Sequence, residues 1–137
     1  MNEKIYLRFI MAIPGRQDDL NAKVVSIALR DAGFEVVYLG TEVSPQDIIR
    51  AALHEDVDAI YLSVVDKSYM DLVEEILDIA RKENFFNSSK KFIFLGGIDL
   101  DSNKIQVLKE KGLAAVYGPK QKTHEIINSI KEIFGYK

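Results

Sequence analysis

The sequence has no cysteine among its 137 residues and only two histidines, His54 and His124. The absence of cysteine excludes disulfide bonds, thiolate metal sites and cysteine nucleophiles, and it fits a cytoplasmic protein. With only two histidines, few residues are available for any site that needs an imidazole.

Long apolar runs and clustered positive charge are also missing. No segment approaches the length of a membrane span, and Met1–Ile5 lacks the apolar region of a signal peptide. The net charge is −3 and no basic run is present, so we expect neither a membrane nor a nucleic acid as a partner. The 47% hydrophobic and 28% charged content is typical of a soluble globular protein, and the length favours a single domain over residues 1–137.

Apolar runs and helical patterns alternate strictly along the chain. Continuous apolar runs predict strands buried on both faces of a sheet, and the segments between them carry helical spacing. The alternation predicts a flavodoxin-like (Rossmann-like) three-layer α/β domain with a five-stranded parallel sheet of order 2-1-3-4-5. The predicted strands are Ile5–Ile13, Phe34–Leu39, Ala59–Val65, Phe92–Leu95 and Ala114–Tyr117, and the predicted helices are Asp19–Ala32, Ser44–Asp56 and, approximately, Tyr69–Lys82, Ser102–Lys111 and Thr123–Phe134.

Two local signals support the helix boundaries. Gly33 is placed to end the first helix as a left-handed C-cap. Ser44-Pro45-Gln46-Asp47 reads as a capping box that opens the second helix. Within the first helix one apolar stripe is expected to pack against the sheet, and it comprises Leu20, Val24, Ile27 and Ala28.

Residues at the carboxyl ends of the strands are the candidates for a binding site, because open α/β sheets bind ligands there. Gly96-Gly97 is either a turn or a place where the backbone approaches a flat ligand closely. The Ser63 hydroxyl is either satisfied by a neighbouring carbonyl or donates to a ligand nitrogen. Gly118-Pro119 fixes a rigid turn and shapes one wall of the crevice.

Seven further segments carry a resemblance to a known family, in the order and spacing of that family: Ala22–Val24, Ala32–Gly40, Ser44–Pro45, Val57–Ile60, Leu62–Ser63, Gly96–Gly97 and Gly112–Pro119. They resemble the cobalamin-binding domain of adenosylcobalamin-dependent mutases of the methylmalonyl-CoA mutase and glutamate mutase type. The resemblance implies a cobalamin-binding module or mutase small subunit, with adenosylcobalamin as cofactor. It implies a separate barrel-type catalytic subunit or a homo-oligomer as partner, and a polypeptide that is not catalytic alone but serves a cobalamin-dependent isomerase.

The first loop departs from that family. The family's Asp-x-His-x-x-Gly signature, whose His is the lower cobalt ligand, falls on Arg16, Asp18 and Asn21. The resemblance therefore puts Asp18 at the cobalt-ligand position, and a carboxylate is a poor substitute for imidazole on cobalt. Arg16 cannot accept the hydrogen bond that would orient a ligating His. Base-on binding, weak binding and loss of the cofactor remain open.

The resemblance also implies a set of cofactor-binding residues at the strand ends. Ser63-Val64-Val65 matches the family's Ser-x-Leu motif, and the paired glycines match those that line the channel for the nucleotide tail. The implied set is Arg16, Gln17, Asp18, Asn21, Ser63, Val65, Gly96, Gly97, Gly118 and Pro119.

The alternative is a diverged paralog or a receiver-like signalling module that no longer binds cobalamin. The sequence is similar to phospho-receiver domains at a few acidic and basic positions that follow strands, namely Asp18, Asp19, Asp66 and Lys120.

Overall fold

The computed structural model describes residues 7–87 and 90–136, and within them five parallel strands form one sheet in the order β2-β1-β3-β4-β5. This confirms the predicted strand order. The strands are β1 (Arg8–Ile13), β2 (Glu35–Thr41), β3 (Ala59–Ser63), β4 (Phe92–Gly96) and β5 (Leu113–Tyr117). The helices are α1 (Leu20–Asp31), α2 (Pro45–His54), α3 (Met70–Lys82), α4 (Ser102–Glu110) and α5 (Thr123–Phe134), and a 3₁₀ turn at Lys67–Tyr69 precedes α3.

Most predicted boundaries lie within two residues of the observed ones, and the differences have local causes. The start predicted for the first strand, at Ile5, lies outside the described residues. Strand β3 ends at Ser63 rather than at Val65. The amide of Val64 still donates to the carbonyl of Gly96 in β4, but the next two amides, of Val65 and Asp66, donate to a side chain of the first loop.

Side chains alternate between the two faces of the sheet and build one core on each face. Phe9 and Met11 of β1 face a layer made by α1 and α5, whereas Ile10 and Ala12 face α2, α3 and α4. A sheet covered on both faces explains why its strands read as continuous apolar runs. Among the described helices none has both the length and the apolar content that a membrane crossing needs.

Helix α1 differs from the prediction. Its buried residues are Ala22, Val25, Ser26 and Leu29, while Leu20, Val24 and Ile27 are 65%, 44% and 57% exposed. The helix therefore has two apolar faces. Three residues of the expected stripe lie on the outer face, whereas the fourth, Ala28, packs against the core. The sequence did not separate them because small Ala22 and polar Ser26 occupy the face that packs closest to the sheet.

One of the two predicted helix signals is present in full and the other in part. Gly33 adopts φ +95° after α1, and its amide donates to the carbonyl of Arg30. The Ser44 hydroxyl accepts a hydrogen bond from the amide of Asp47 at 3.1 Å, which satisfies a free donor in the first turn of α2. The Asp47 carboxylate, however, pairs with Arg50 rather than completing the capping box.

Two stacked tyrosines lie in the part of the core between the sheet and the helices α1 and α5. The rings of Tyr61 and Tyr117 lie 6.3 Å apart and are nearly parallel. The Tyr117 hydroxyl is hydrogen-bonded to Ser129 at 2.8 Å, whereas the fully buried Tyr61 hydroxyl has no partner among the described residues. Burial raises the pKa of Tyr117 to about 12 and also raises that of Tyr61.

This pair gives a stability prediction. Tyr61→Phe should raise the free energy of unfolding by about 1 kcal/mol, because it removes a buried hydroxyl that makes no hydrogen bond. Tyr117→Phe, the matched control, should lower it by about 1 kcal/mol because it removes the bond to Ser129. Urea denaturation of both variants measures the difference, and a less stable Tyr61→Phe would contradict the account.

Candidate functional site

The first loop, residues 14–19, is fastened to the end of β3 by one side chain. The Gln17 side-chain oxygen accepts hydrogen bonds from the amides of Val65, at 2.9 Å, and Asp66, at 3.2 Å. The Gln17 amide nitrogen donates back to the carbonyl of Pro14 at 2.6 Å. A single glutamine thus satisfies two backbone donors that have left the sheet and a carbonyl of its own loop.

The same loop is held on two further sides. The Tyr69 hydroxyl donates to the carbonyl of Arg16 at 2.9 Å, and a Cβ at Gly15, which has φ +78°, would overlap the Tyr69 ring. The amide of Glu42 donates to the carbonyl of Gly15 at 3.0 Å. The Glu42 carboxylate pairs with the Arg16 guanidinium and raises its pKa. The loop is therefore built into the strand-end surface on the sides of β2 and β3.

Next to the loop, one residue of α1, one of β3 and the residue that follows β4 meet. The Ser63 hydroxyl, which is buried, donates to the side-chain oxygen of Asn21 at 3.0 Å. Gly97, with φ +98°, follows β4 directly beside this pair. A Cβ added at Gly97 would lie 3.1 Å from the Asn21 oxygen, the Val64 carbonyl oxygen and a Val65 methyl. The glycine is required here both by its backbone conformation and by the closeness of its neighbours.

A cavity of about 430 Å³ opens at this point between α1, α5 and the strand ends. This volume is within the range of ordinary small-molecule sites. Its walls are mostly apolar, with amide, hydroxyl and carboxylate groups at intervals. It is lined by Asp18, Leu20, Asn21, Val24, Val25, Val65, Gly97, Pro119, Gln121, Thr123 and Ile126.

The polar groups of the cavity define what it can bind. Among the described residues that line it, Asp18 alone is charged, and its carboxylate accepts a hydrogen bond from the amide of Leu20 at 2.7 Å. No imidazole is among these lining residues, since His54 ends α2 and His124 opens α5, both exposed. The cavity offers oxygen and amide groups, and no nitrogen ligand for a metal.

The residues predicted for the site divide into two groups. Asp18, Asn21, Val65, Gly97 and Pro119 line the cavity. The other five surround it: Arg16 and Gln17 hold the loop, Ser63 holds Asn21, Gly96 lies over the Tyr61 hydroxyl, and Gly118 precedes Pro119 in the turn after β5.

Six lining residues were missed from the sequence, and all lie on the two helices or in the turn before α5: Leu20, Val24, Val25, Gln121, Thr123 and Ile126. The signal that could have found Leu20 and Val24 is the second apolar stripe of α1. A stripe that is not needed for packing against the sheet is free to line a groove.

The acidic residues that suggested a receiver do not form a cation site. Among residues 7–87 and 90–136, no group of three or more Asp, Glu, His or Cys side chains is arranged to hold a metal ion. The Asp66 carboxylate is engaged by the amide and the hydroxyl of Ser68, and these two bonds lower its pKa.

One family model matches most of the chain. The model of the family described as "B12 binding domain" matches residues 9–128. The chain is 30% identical over 115 residues to the ethylmalonyl-CoA mutase of Cereibacter sphaeroides, covering 83% of the chain but 17% of that enzyme. It is 27% identical over 115 residues to the 2-hydroxyisobutanoyl-CoA mutase small subunit of Aquincola tertiaricarbonis, covering 84% of the chain and 82% of that subunit.

A solved structure has the same fold. A cobalamin-binding protein from Desulfitobacterium hafniense matches with a TM-score of 0.79 at 18% identity, covering 94% of this chain and 59% of that one. The flavodoxin-like architecture is thereby confirmed.

The hydrogen bonds between Gln17 and the end of β3 give a prediction about hydrogen exchange. Gln17→Ala should speed hydrogen exchange at the Val65 and Asp66 amides by about tenfold, because both lose their acceptor. Gln46→Ala is the control, since Gln46 is exposed on α2 and does not line the cavity. Exchange measured by NMR that stays unchanged in Gln17→Ala would show that other contacts hold the loop.

Proposed function

The chain belongs to the B12-binding domain family, and we propose that it binds cobalamin with the nucleotide tail of the cofactor in the cavity between α1, α5 and the strand ends. The observation that carries the proposal is the open cavity beside Gly97. Its apolar walls, supplied by residues such as Val24, Val65 and Ile126, suit an aromatic base. The absence of a side chain at Gly97 leaves the space that a Cβ would fill.

The side chains of the site are suited to binding the nucleotide tail, but none of them is suited to act as a ligand to cobalt. A histidine lower ligand needs an imidazole at the position of Asp18, and Asp18 instead uses its carboxylate to accept from the Leu20 amide. We therefore assign Asp18 to the start of α1 rather than to the metal. In this proposal the residues of the cavity would hold the tail, and no side chain of this chain would supply a nitrogen ligand to cobalt.

The proposed role is that of a cofactor-carrying subunit. The chain corresponds to most of the length of a mutase small subunit, whereas it spans about a sixth of the ethylmalonyl-CoA mutase. Adenosylcobalamin, when bound, supplies radicals by homolysis of its cobalt–carbon bond. The residues of this chain would hold and orient it, and a separate barrel-type catalytic subunit would hold the substrate.

The alternative, a receiver-like or ligand-free relative, is less well supported. A receiver would require a carboxylate cluster for a divalent cation, and the described residues form none. Incubation with acetyl phosphate and magnesium, followed by mass measurement, tests it directly: a phosphate adduct on Asp66 would favour the alternative.

Cofactor binding is the first test. Purified protein mixed with hydroxocobalamin or adenosylcobalamin should retain a visible spectrum through gel filtration. Gly97→Ala should weaken binding by about tenfold or more, because its Cβ enters the space beside Asn21 and Val65.

Gly33→Ala is the matched control. Gly33 has a similar φ of +95°, but a Cβ there would meet no atom within 4 Å. Both substitutions should cost about 1–2 kcal/mol of stability for a left-handed backbone. Only Gly97→Ala should lose affinity. No retained colour with the unaltered protein at high micromolar cofactor would refute cobalamin binding, and equal affinities of the two variants would refute the placement of the tail.

The absence of an imidazole at position 18 gives a spectroscopic prediction. Asp18→His should shift the spectrum of the bound cofactor towards an imidazole-ligated form, because it supplies the missing nitrogen donor. Asp18→Asn is the control, since it can still accept from the Leu20 amide and brings no imidazole. An unchanged spectrum in Asp18→His would show that residue 18 does not face cobalt.

A further inference from the structure

Among the contacts of the described residues, Asn21 is the one residue lining the cavity whose side chain is oriented by a hydrogen bond to a second side chain. It lies in the first turn of α1 and borders the cavity. Its oxygen accepts the proton of the buried Ser63 hydroxyl at 3.0 Å. Because the oxygen and the nitrogen of an amide are held in one plane at a fixed angle, this bond also fixes the direction of the amide nitrogen.

The Ser63 hydroxyl is consequently already used. A hydroxyl has a single proton to donate, and that proton is directed at Asn21. The donor that remains is the Asn21 amide nitrogen, which has no hydrogen-bond partner among the described residues. Desolvating an unpaired donor is unfavourable, so a ligand that enters the cavity should supply an acceptor for it.

The charge of the cavity restricts that acceptor. Asp18 is the only charged residue among the described lining residues, and neither lysine nor arginine is among them. An anionic group next to Asn21 would meet the Asp18 carboxylate with no cation to balance it, so the phosphate of the tail is not the group expected at this point. A neutral acceptor held between apolar walls fits better, and an unprotonated ring nitrogen of an aromatic base is such an acceptor.

We propose that Asn21 is the residue that selects the lower base of the cofactor. Its amide nitrogen donates a hydrogen bond to an unprotonated ring nitrogen of the base. Ser63 is a positioning residue that holds the amide in this orientation. The inference rests on the proposed binding of cobalamin. It assigns a specificity role to the residue that stands where the family signature has glycine.

The test compares three corrinoids on the unaltered protein and on Asn21→Asp. Cobalamin has a base with a ring nitrogen, a cobamide with a phenolic lower base keeps the phosphate but lacks the nitrogen, and cobinamide lacks the nucleotide altogether. An Asp at position 21 can still accept from Ser63, but it has no proton to donate. A carboxylate in the first turn of a helix is also favourable for the helix dipole, so the fold should be retained.

Asn21→Asp should raise the dissociation constant of cobalamin by about tenfold, as expected for the loss of one hydrogen bond in a cavity. The constants of the phenolic cobamide and of cobinamide should change less than about twofold, which also controls for repulsion between the new carboxylate and the phosphate. Ser63→Ala should weaken cobalamin binding less than Asn21→Asp does, because it frees the amide without removing its protons.

Two results would overturn the inference while leaving the proposed function intact. One is an equal loss of affinity for cobalamin and for the phenolic cobamide in Asn21→Asp. The other is a loss confined to Ser63→Ala, which would make Ser63 the donor. If the unaltered protein bound none of the three corrinoids, the proposed function itself would fail.

Discussion

Two backbone amides at the end of β3 determine the shape of the site. When the chain leaves the sheet after Ser63, the amides of Val65 and Asp66 need an acceptor, and Gln17 supplies it. This contact holds the first loop beside β3, and the loop in turn brings the start of α1 over Gly97. Ser63 also holds Asn21 by a hydrogen bond, so the first turn of α1 is fixed both by the loop that precedes it and by β3. The cavity between α1 and α5 exists because these bonds keep that end in place.

The fold could be predicted from the sequence because its determinants are local. Apolar runs mark strands that are buried on both faces, and residues such as Gly33 and Ser44 mark helix ends by their own chemistry. The alternation of the two patterns leaves few topologies. The order of the strands, and therefore the edge of the sheet that carries the candidate site, followed from these signals.

The interior of the site could be predicted only in part, because it depends on contacts between residues far apart in the chain. Gln17 was placed in the site, but its partners lie 48 and 49 residues away. The same holds for the bond between Ser63 and Asn21, which decides which of the two side chains has a proton to offer. Spacing along the chain also did not show which of the two apolar faces of α1 packs against the sheet. The outer face lines the cavity, and the contribution of α5 became visible only with the helices in place.

The central claim is that the tail of the cofactor occupies this cavity while cobalt receives no nitrogen from the chain. The electron paramagnetic resonance spectrum of cob(II)alamin bound to the protein tests it most directly, because an axial nitrogen splits the cobalt lines. The account predicts a spectrum without nitrogen splitting. A spectrum with such splitting would show either that the base has stayed on cobalt or that a side chain has replaced it, and either result would contradict the account.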